Sequence, residues 1–172
     1  KNTVVEFKNT GAKKNRVVLF SINVSIFLDR YFKINKHLGM NFSLEIGPKT
    51  DLDTLPVLKD VYITLLPGDD YKDTAEQAAK LVKKGLNPIP HFPARSIEND
   101  AQLKEYVSRC KDVGVKQVLV IGGSREPIGS FDSSIQILET GYFEQMKIGI
   151  AGHPEGSPDI SDSKLEKAMK DK

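Results

Sequence analysis

Cysteine, net charge and long apolar runs are all scarce in this chain. A single cysteine, Cys110, excludes any intrachain disulfide and makes a reducing compartment the default. No apolar run reaches the ~20 residues that a membrane helix needs. The nearest, VVLFSINVSIFL at residues 17–28, is broken by Ser21, Asn23 and Ser25. Basic residues precede that run, but no clear small-residue cleavage site follows it, so a cytoplasmic location is expected. The net charge is only +2 over 172 residues, too little to argue for nucleic acid or an anionic membrane as partner. Its distribution is uneven. Residues 1–40 carry 8 Lys/Arg against 2 Asp/Glu, and the remainder carry 17 against 21. A basic arm ahead of a mildly acidic body reads either as a solvated leader or as an interaction tail. Two more absences narrow the chemistry. No G-x-G-x-x-G fingerprint follows the first strand, and neither His91 nor His153 has metal-ligand spacing, so no metal is expected.

What is present is a rhythm. With 39% hydrophobic and 28% charged residues, the chain has the composition of an ordinary one-domain globular protein able to bury a core. FSLEI (42–46) reads as a strand, followed by a short helix around residues 52–58. VYITLL (61–66) is β-branched and apolar, hence strand-like. The next segment, GDDYKDTAEQAAKLVKKG, reads as a helix with Asp73 and Glu76 at capping-box spacing. Ala75, Ala78, Ala79 and Val82 form its stripe, and Gly85 is its stop. PIPHF (88–92) is a strand, and ENDAQLKEYVSRCKDVG a helix with Leu103, Tyr106, Val107 and Cys110 on one face. QVLVIGG (117–123) reads as a strand buried on both faces. A helix near residues 133–140, the strand KIGIAG (147–152) and a helix opening in SDSKLEKAMKDK complete the series.

Strand starts near 61, 88, 117 and 147 predict successive βα units of a parallel sheet. Such units form either an open doubly wound sheet or a (β/α)8 barrel, and the missing glycine fingerprint favours the barrel. Five strands cannot close an eight-stranded barrel. The expected fold class is therefore α/β, a partial (β/α)8 TIM barrel with about five βα units, the N-terminal part of a longer protein. Residues 41–172 would form the barrel part and residues 1–40 a basic extension, unless SIFLDRYFKINKHLG is a helix covering the barrel bottom.

Both layouts place ligands beyond the carboxyl ends of the strands. Those ends read EIGP, TLLPG, HFPAR, GGSR and HPEGS, each a polar side chain beside glycine or proline. Together they predict a polar rim around one pocket. Glu45 ends an apolar strand, where burial would raise its pKa and suit it to general acid work. An ion pair with Lys49 or Arg95 is the structural alternative. Gly122 and Gly123 would let a phosphate or a ring approach the backbone, and Arg95 and Arg125 could hold phosphate oxygens.

In order, FSLEIGPKT, VYITLLPG, PIPHFPAR, VLVIGGS and IGIAGHPEGSPD resemble the strand ends of the methylenetetrahydrofolate reductase family, over about residues 41–172. The resemblance implies an FAD-containing barrel in which reduced flavin passes hydride to 5,10-methylenetetrahydrofolate, giving 5-methyltetrahydrofolate, with NAD(P)H as reductant. It implies that Glu45 is the acid that protonates the folate substrate. It also implies that Thr64, His91, Gly122, Gly123, Ser124, His153, Ser157 and Lys172 lie at the flavin, with Ser124 also at the folate. Glu155 keeps the family's proline–glutamate pair. The chain departs from the family where arginine–glycine–aspartate is replaced by Gly122, Gly123 and Ser124, so a neutral hydroxyl stands in for a carboxylate. His153 replaces a tyrosine, and Ser157 a histidine. The resemblance implies neither a nucleic-acid nor a membrane partner and leaves a homo-oligomer open. Two other readings stand beside it: a non-catalytic flavin- or folate-binding remnant, and a barrel enzyme acting on a phosphorylated small molecule.

Overall fold

Strand and helix alternate along the chain as the periodicity predicts. The structure, a computed structural model, describes residues 3–5, 17–19, 43–56, 58–152 and 160–171. In the leader, β1 (Thr3–Val5) and β2 (Val17–Leu19) pair antiparallel as a separate two-stranded ribbon. The segment read as a helix at 25–39 lies outside the described residues. The main sheet holds β3 (Ser43–Ile46), β4 (Asp60–Ile63), β5 (Asn87–Pro93), β6 (Gln117–Ile121) and β7 (Lys147–Ile150). All its pairings are parallel and the spatial order follows the chain order. The helices are α1 (Tyr71–Lys83), α2 (Asp100–Asp112), α3 (Ser134–Glu139) and α4 (Asp162–Asp171).

Order matters here. Parallel crossovers are overwhelmingly right-handed, so a strand order that never reverses sends every connecting helix to the same face of the sheet. Side-chain alternation agrees. Leu44, Ile46, Val61, Ile63, Phe92, Val118 and Val120 occupy alternate positions and are buried in one core with Leu81, Leu103, Tyr106 and Ile137 of the helices. Fully burying a side chain of this size contributes about 1.5–3 kcal/mol. On the opposite face Ile89 and His91 are buried, Ser43, Tyr62, Gln117, Leu119 and Ile121 are half-buried, and Glu45 is exposed. The alternation corrects the expectation for β6. Its apolar run is buried on one face only, because helices cover just that face among the described residues.

Helix ends follow local chemistry, with two corrections. The N-cap of α1 is Asp70, whose carboxylate accepts the Lys72 N–H at 2.9 Å, and not Asp73, which pairs instead with Lys49 at 2.9 Å. The helix expected around 52–58 shrinks to one 3-10 turn, Leu52–Thr54, since Pro56 cannot donate the bond that would extend it. Gly85 and Gly114 end α1 and α2 at φ +76° and +91°, the left-handed conformation that suits glycine.

Proline inside a central strand normally argues against the assignment, because it cannot donate to the ladder. In β5 the geometry removes the objection. The Asn87 N–H donates to Lys59 O on the β4 side at 2.8 Å, so alternation turns positions 88 and 90 toward β6. Pairing of β5 with β6 begins only at His91 opposite Leu119, above both prolines. Below that point side chains bridge the strands. Asn87 Nδ2 donates to Asp60 Oδ1 at 2.7 Å and to Gln117 Oε1 at 3.3 Å.

Candidate functional site

Among the described residues no helix packs on one face of the sheet, and this helix-free face carries Glu45 and His91. Glu45 sits on β3 opposite Tyr62 of β4. His91 comes from β5, two strands away. Adjacent strands lie roughly 4.8 Å apart, so the two side chains lean toward each other across β4 to bring His91 Nε2 within 3.8 Å of Glu45 Oε2. Tyr62 comes from the intervening strand and lies beside the pair, its ring edge-on to His91 with centroids 5.9 Å apart. An acid, an imidazole and an aromatic ring thus meet on one patch. Neither structural alternative for Glu45 forms, because Lys49 is held by Asp73 and Arg95 by Asp132 at 3.0 Å.

Exposure differs sharply within the patch. The His91 side chain is 9% exposed and that of Glu45 40%. Glu45 is therefore not the buried carboxyl expected from its apolar strand, because it alternates onto the face that helices leave open. Burial instead acts on His91, whose pKa is pushed down to about 4. The ring is neutral at pH 7, and its Nε2 has no hydrogen-bond partner among the described residues. Glu45 lies beyond hydrogen-bond distance, and its exposure to water screens the field it exerts.

Buried hydroxyls fix the strand ends from the helix side. His91 lies one residue past the last β4–β5 pair, Ile63 with Pro90, so the ladder with β4 has ended at its carbonyl. The Tyr106 hydroxyl of α2 donates to that carbonyl at 3.1 Å from a fully buried position. Burial raises the Tyr106 pKa well above its usual value. Phe92 stacks on the same ring with centroids 4.1 Å apart. Thr64 follows the end of β4, where its N–H donates to Ile46 O at 2.9 Å and its hydroxyl approaches the same oxygen at 3.3 Å. Buried Thr74 of α1 reaches the Thr64 carbonyl at 3.5 Å.

The glycine pair follows β6. Gly122 O accepts the Arg95 N–H at 3.0 Å, and Gly123 takes φ +95°, with Pro93 close enough that a Cβ would sit 3.4 Å from the proline's own. Ser124 is exposed on the same turn. The structure thus brings Glu45 and His91 together and sets Thr64 and the glycine turn at the carboxyl ends of the neighbouring strands. His153, Glu155 and Ser157 lie outside the described residues, as does Lys172. Sequence reasoning missed Tyr62 and Tyr106. Tyr62 was legible as the residue alternating with Val61 and Ile63. Tyr106 was read only as a core residue, since nothing along the chain shows which carbonyl its hydroxyl meets.

Away from this patch, a cleft of about 200 Å³ opens on the helix side between the loops after β4, β5 and β6. Leu65, Tyr71, Ile97 and Tyr106 line it, with Leu66, Ile128, Asp69, Glu98 and Arg125 among its other walls. Among the described residues no group of His, Cys, Asp or Glu is placed to hold a metal ion, and no helix is long and apolar enough to cross a membrane. A scan against known protein families finds no family that matches this sequence.

Proposed function

We infer that this chain is the flavin- and folate-facing part of a (β/α)8 oxidoreductase that interconverts 5,10-methylenetetrahydrofolate and 5-methyltetrahydrofolate, similar to the methylenetetrahydrofolate reductases. The observation that carries the reading is the convergence of Glu45 and His91, from strands two apart, on the helix-free face of a parallel sheet. A non-reversing strand order supports barrel winding over a doubly wound sheet, since the latter needs a reversal to place helices on both faces.

The residues fit a flavin on two counts. His91 holds a buried Nε2 with no hydrogen-bond partner among the described residues, which a polar ring atom would satisfy once binding shifts the side chains that cover it. Gly123, half-buried at φ +95° against Pro93, turns the chain without a side chain at the carboxyl end of β6, where a ring or phosphate could approach the backbone. FAD, when bound, supplies the hydride and is re-reduced by NAD(P)H. Glu45 is exposed in the free protein, so its acid role requires the bound folate to cover it and take the carboxyl out of water. It would then give a proton to the nitrogen of the bridging ring, so that the C–N bond opens and the one-carbon unit becomes the electrophile that accepts the hydride. Tyr62 forms an aromatic wall beside that acid. His91, neutral at pH 7, places no competing positive charge there. Thr64, fixed through the Ile46 carbonyl, sits on the adjacent strand end, within the same rim.

The test separates binding from chemistry. The protein should bind FAD, and NADH should bleach it. Glu45→Gln should keep that bleaching while slowing folate turnover by roughly 10²–10⁴, the usual share of a general acid. A protein that folds but binds no flavin refutes the reading. The neutral, exposed Ser124 favours a second reading, a flavin- or folate-binding remnant without turnover. NADH bleaching that is coupled to folate reduction excludes it.

A further inference from the structure

Arg95 was read from sequence as an anion clamp or as a partner for Glu45. Its hydrogen bonds show a different commitment, since among the described residues each of them goes to the loop between β6 and α3. Its N–H donates to Gly122 O at 3.0 Å, and its carbonyl accepts the Ile128 N–H at 3.1 Å. Its Nε donates to the Asp132 carbonyl at 2.9 Å and to the Asp132 carboxylate at 3.0 Å. The loop is therefore tied at its start, middle and end to one residue of the neighbouring strand–helix connection.

Two further observations show that the loop is seated rather than draped. A Cβ on Gly129 would run into the backbone carbonyl of Glu98, so the loop crosses the chain just after Arg95 at a distance only glycine allows. At its far end Gln136 Oε1 accepts the N–H groups of Asp132 and Ser133, holding Asp132 against the start of α3. The start of this loop is Gly122, Gly123 and Ser124, the turn that faces the open end of the sheet.

We propose that Arg95 is the positioning residue for this glycine turn. Its guanidinium clips Asp132 and thereby sets the backbone that the ligand meets at Gly122–Gly123. An arginine suits the task because its Nε meets carbonyl and carboxylate of one residue together. The guanidinium is consequently spent on the loop and does not clamp a substrate anion. The identity of the ligand as flavin rests on the reading above, whereas the clip does not.

The test measures both levels on the whole protein. Arg95→Met and Asp132→Asn should each speed amide hydrogen exchange at Ile128 and its neighbours about tenfold, the size expected for losing a charge-assisted hydrogen bond at a half-exposed site. Both should weaken FAD binding by a similar factor and shift the visible spectrum of the bound flavin. Arg95→Lys should restore part of the affinity by keeping the charge, and Arg109→Met, on the exposed side of α2 where it pairs with Glu105, should change neither readout. Asp132→Asn guards against misfolding, because that side chain is exposed. Exchange that stays at the wild-type rate overturns the proposal, as does faster exchange with unchanged flavin affinity and spectrum. A wild-type protein that binds no flavin refutes the functional reading and the positioning role together, leaving the clip to stand or fall on exchange alone.

Discussion

Tyr106→Phe removes one oxygen from the core and should cost far more than its size suggests. The hydroxyl sits at a fully buried position and donates at 3.1 Å to the carbonyl of His91, which lies past the end of the β4–β5 ladder. With the hydroxyl gone, a carbonyl buried behind α2 has lost its donor, which costs roughly 1–3 kcal/mol. The ring remains, and with it the stacking on Phe92 and the tilted contact with Tyr71 at 5.4 Å, so the cost of emptying an aromatic site is avoided. For a chain of 172 residues about 1 kcal/mol moves Tm by ~2–4 °C. The expected fall is therefore about 2–12 °C, with the centre near 5 °C. Urea titration should show a lower midpoint at unchanged m, since the surface exposed on unfolding is the same. The local effect should be visible at His91, whose backbone and ring resonances shift while those of α4 do not. A loss below about 0.3 kcal/mol, or an unperturbed His91, would show that this hydroxyl does not fix the strand end.

Two further outcomes follow from burial. His91 has its pKa pushed down to about 4 in the fold against 6.5 unfolded. Between those values the unfolded chain binds the extra proton, so stability rises with pH through this window and is lost as pH falls from 6.5 toward 4. The full swing is about 3 kcal/mol, and His91→Phe should flatten it in urea titrations run between pH 4 and 7. Cys110 lies on the buried face of α2 with its thiol pushed up to about 12, so a thiol reagent should label it only under denaturing conditions, and labelling of the native protein at the rate of a free thiol would contradict the packing.

Legibility in the sequence followed the range of the interaction concerned. β6 was found as a strand to within two residues because its β-branched run is a local signal, yet its burial on both faces was misjudged because burial depends on what packs against it. Asp73 was misread as a cap, since Asp70 and Asp73 look alike until the first turn of α1 shows which carboxylate meets Lys72. Pro88 and Pro90 gave no warning in a central strand. They are tolerated through pairing that starts at His91, a fact of register that no single segment contains.

By itself the sequence determined the alternation of strand and helix, the glycine stops of α1 and α2, and the gathering of polar residues at strand ends, for each of these is decided within one turn or one strand of chain. Only the tertiary structure decided that Glu45 turns to His91 and not to Lys49 or Arg95, that Tyr106 holds a strand-end carbonyl, and that Arg95 is committed to Asp132. Those choices join residues 15 to 46 positions apart or lie between alternatives equally compatible with local geometry. Strand order and register settle them, because they fix which side chains share a face and how far each must reach.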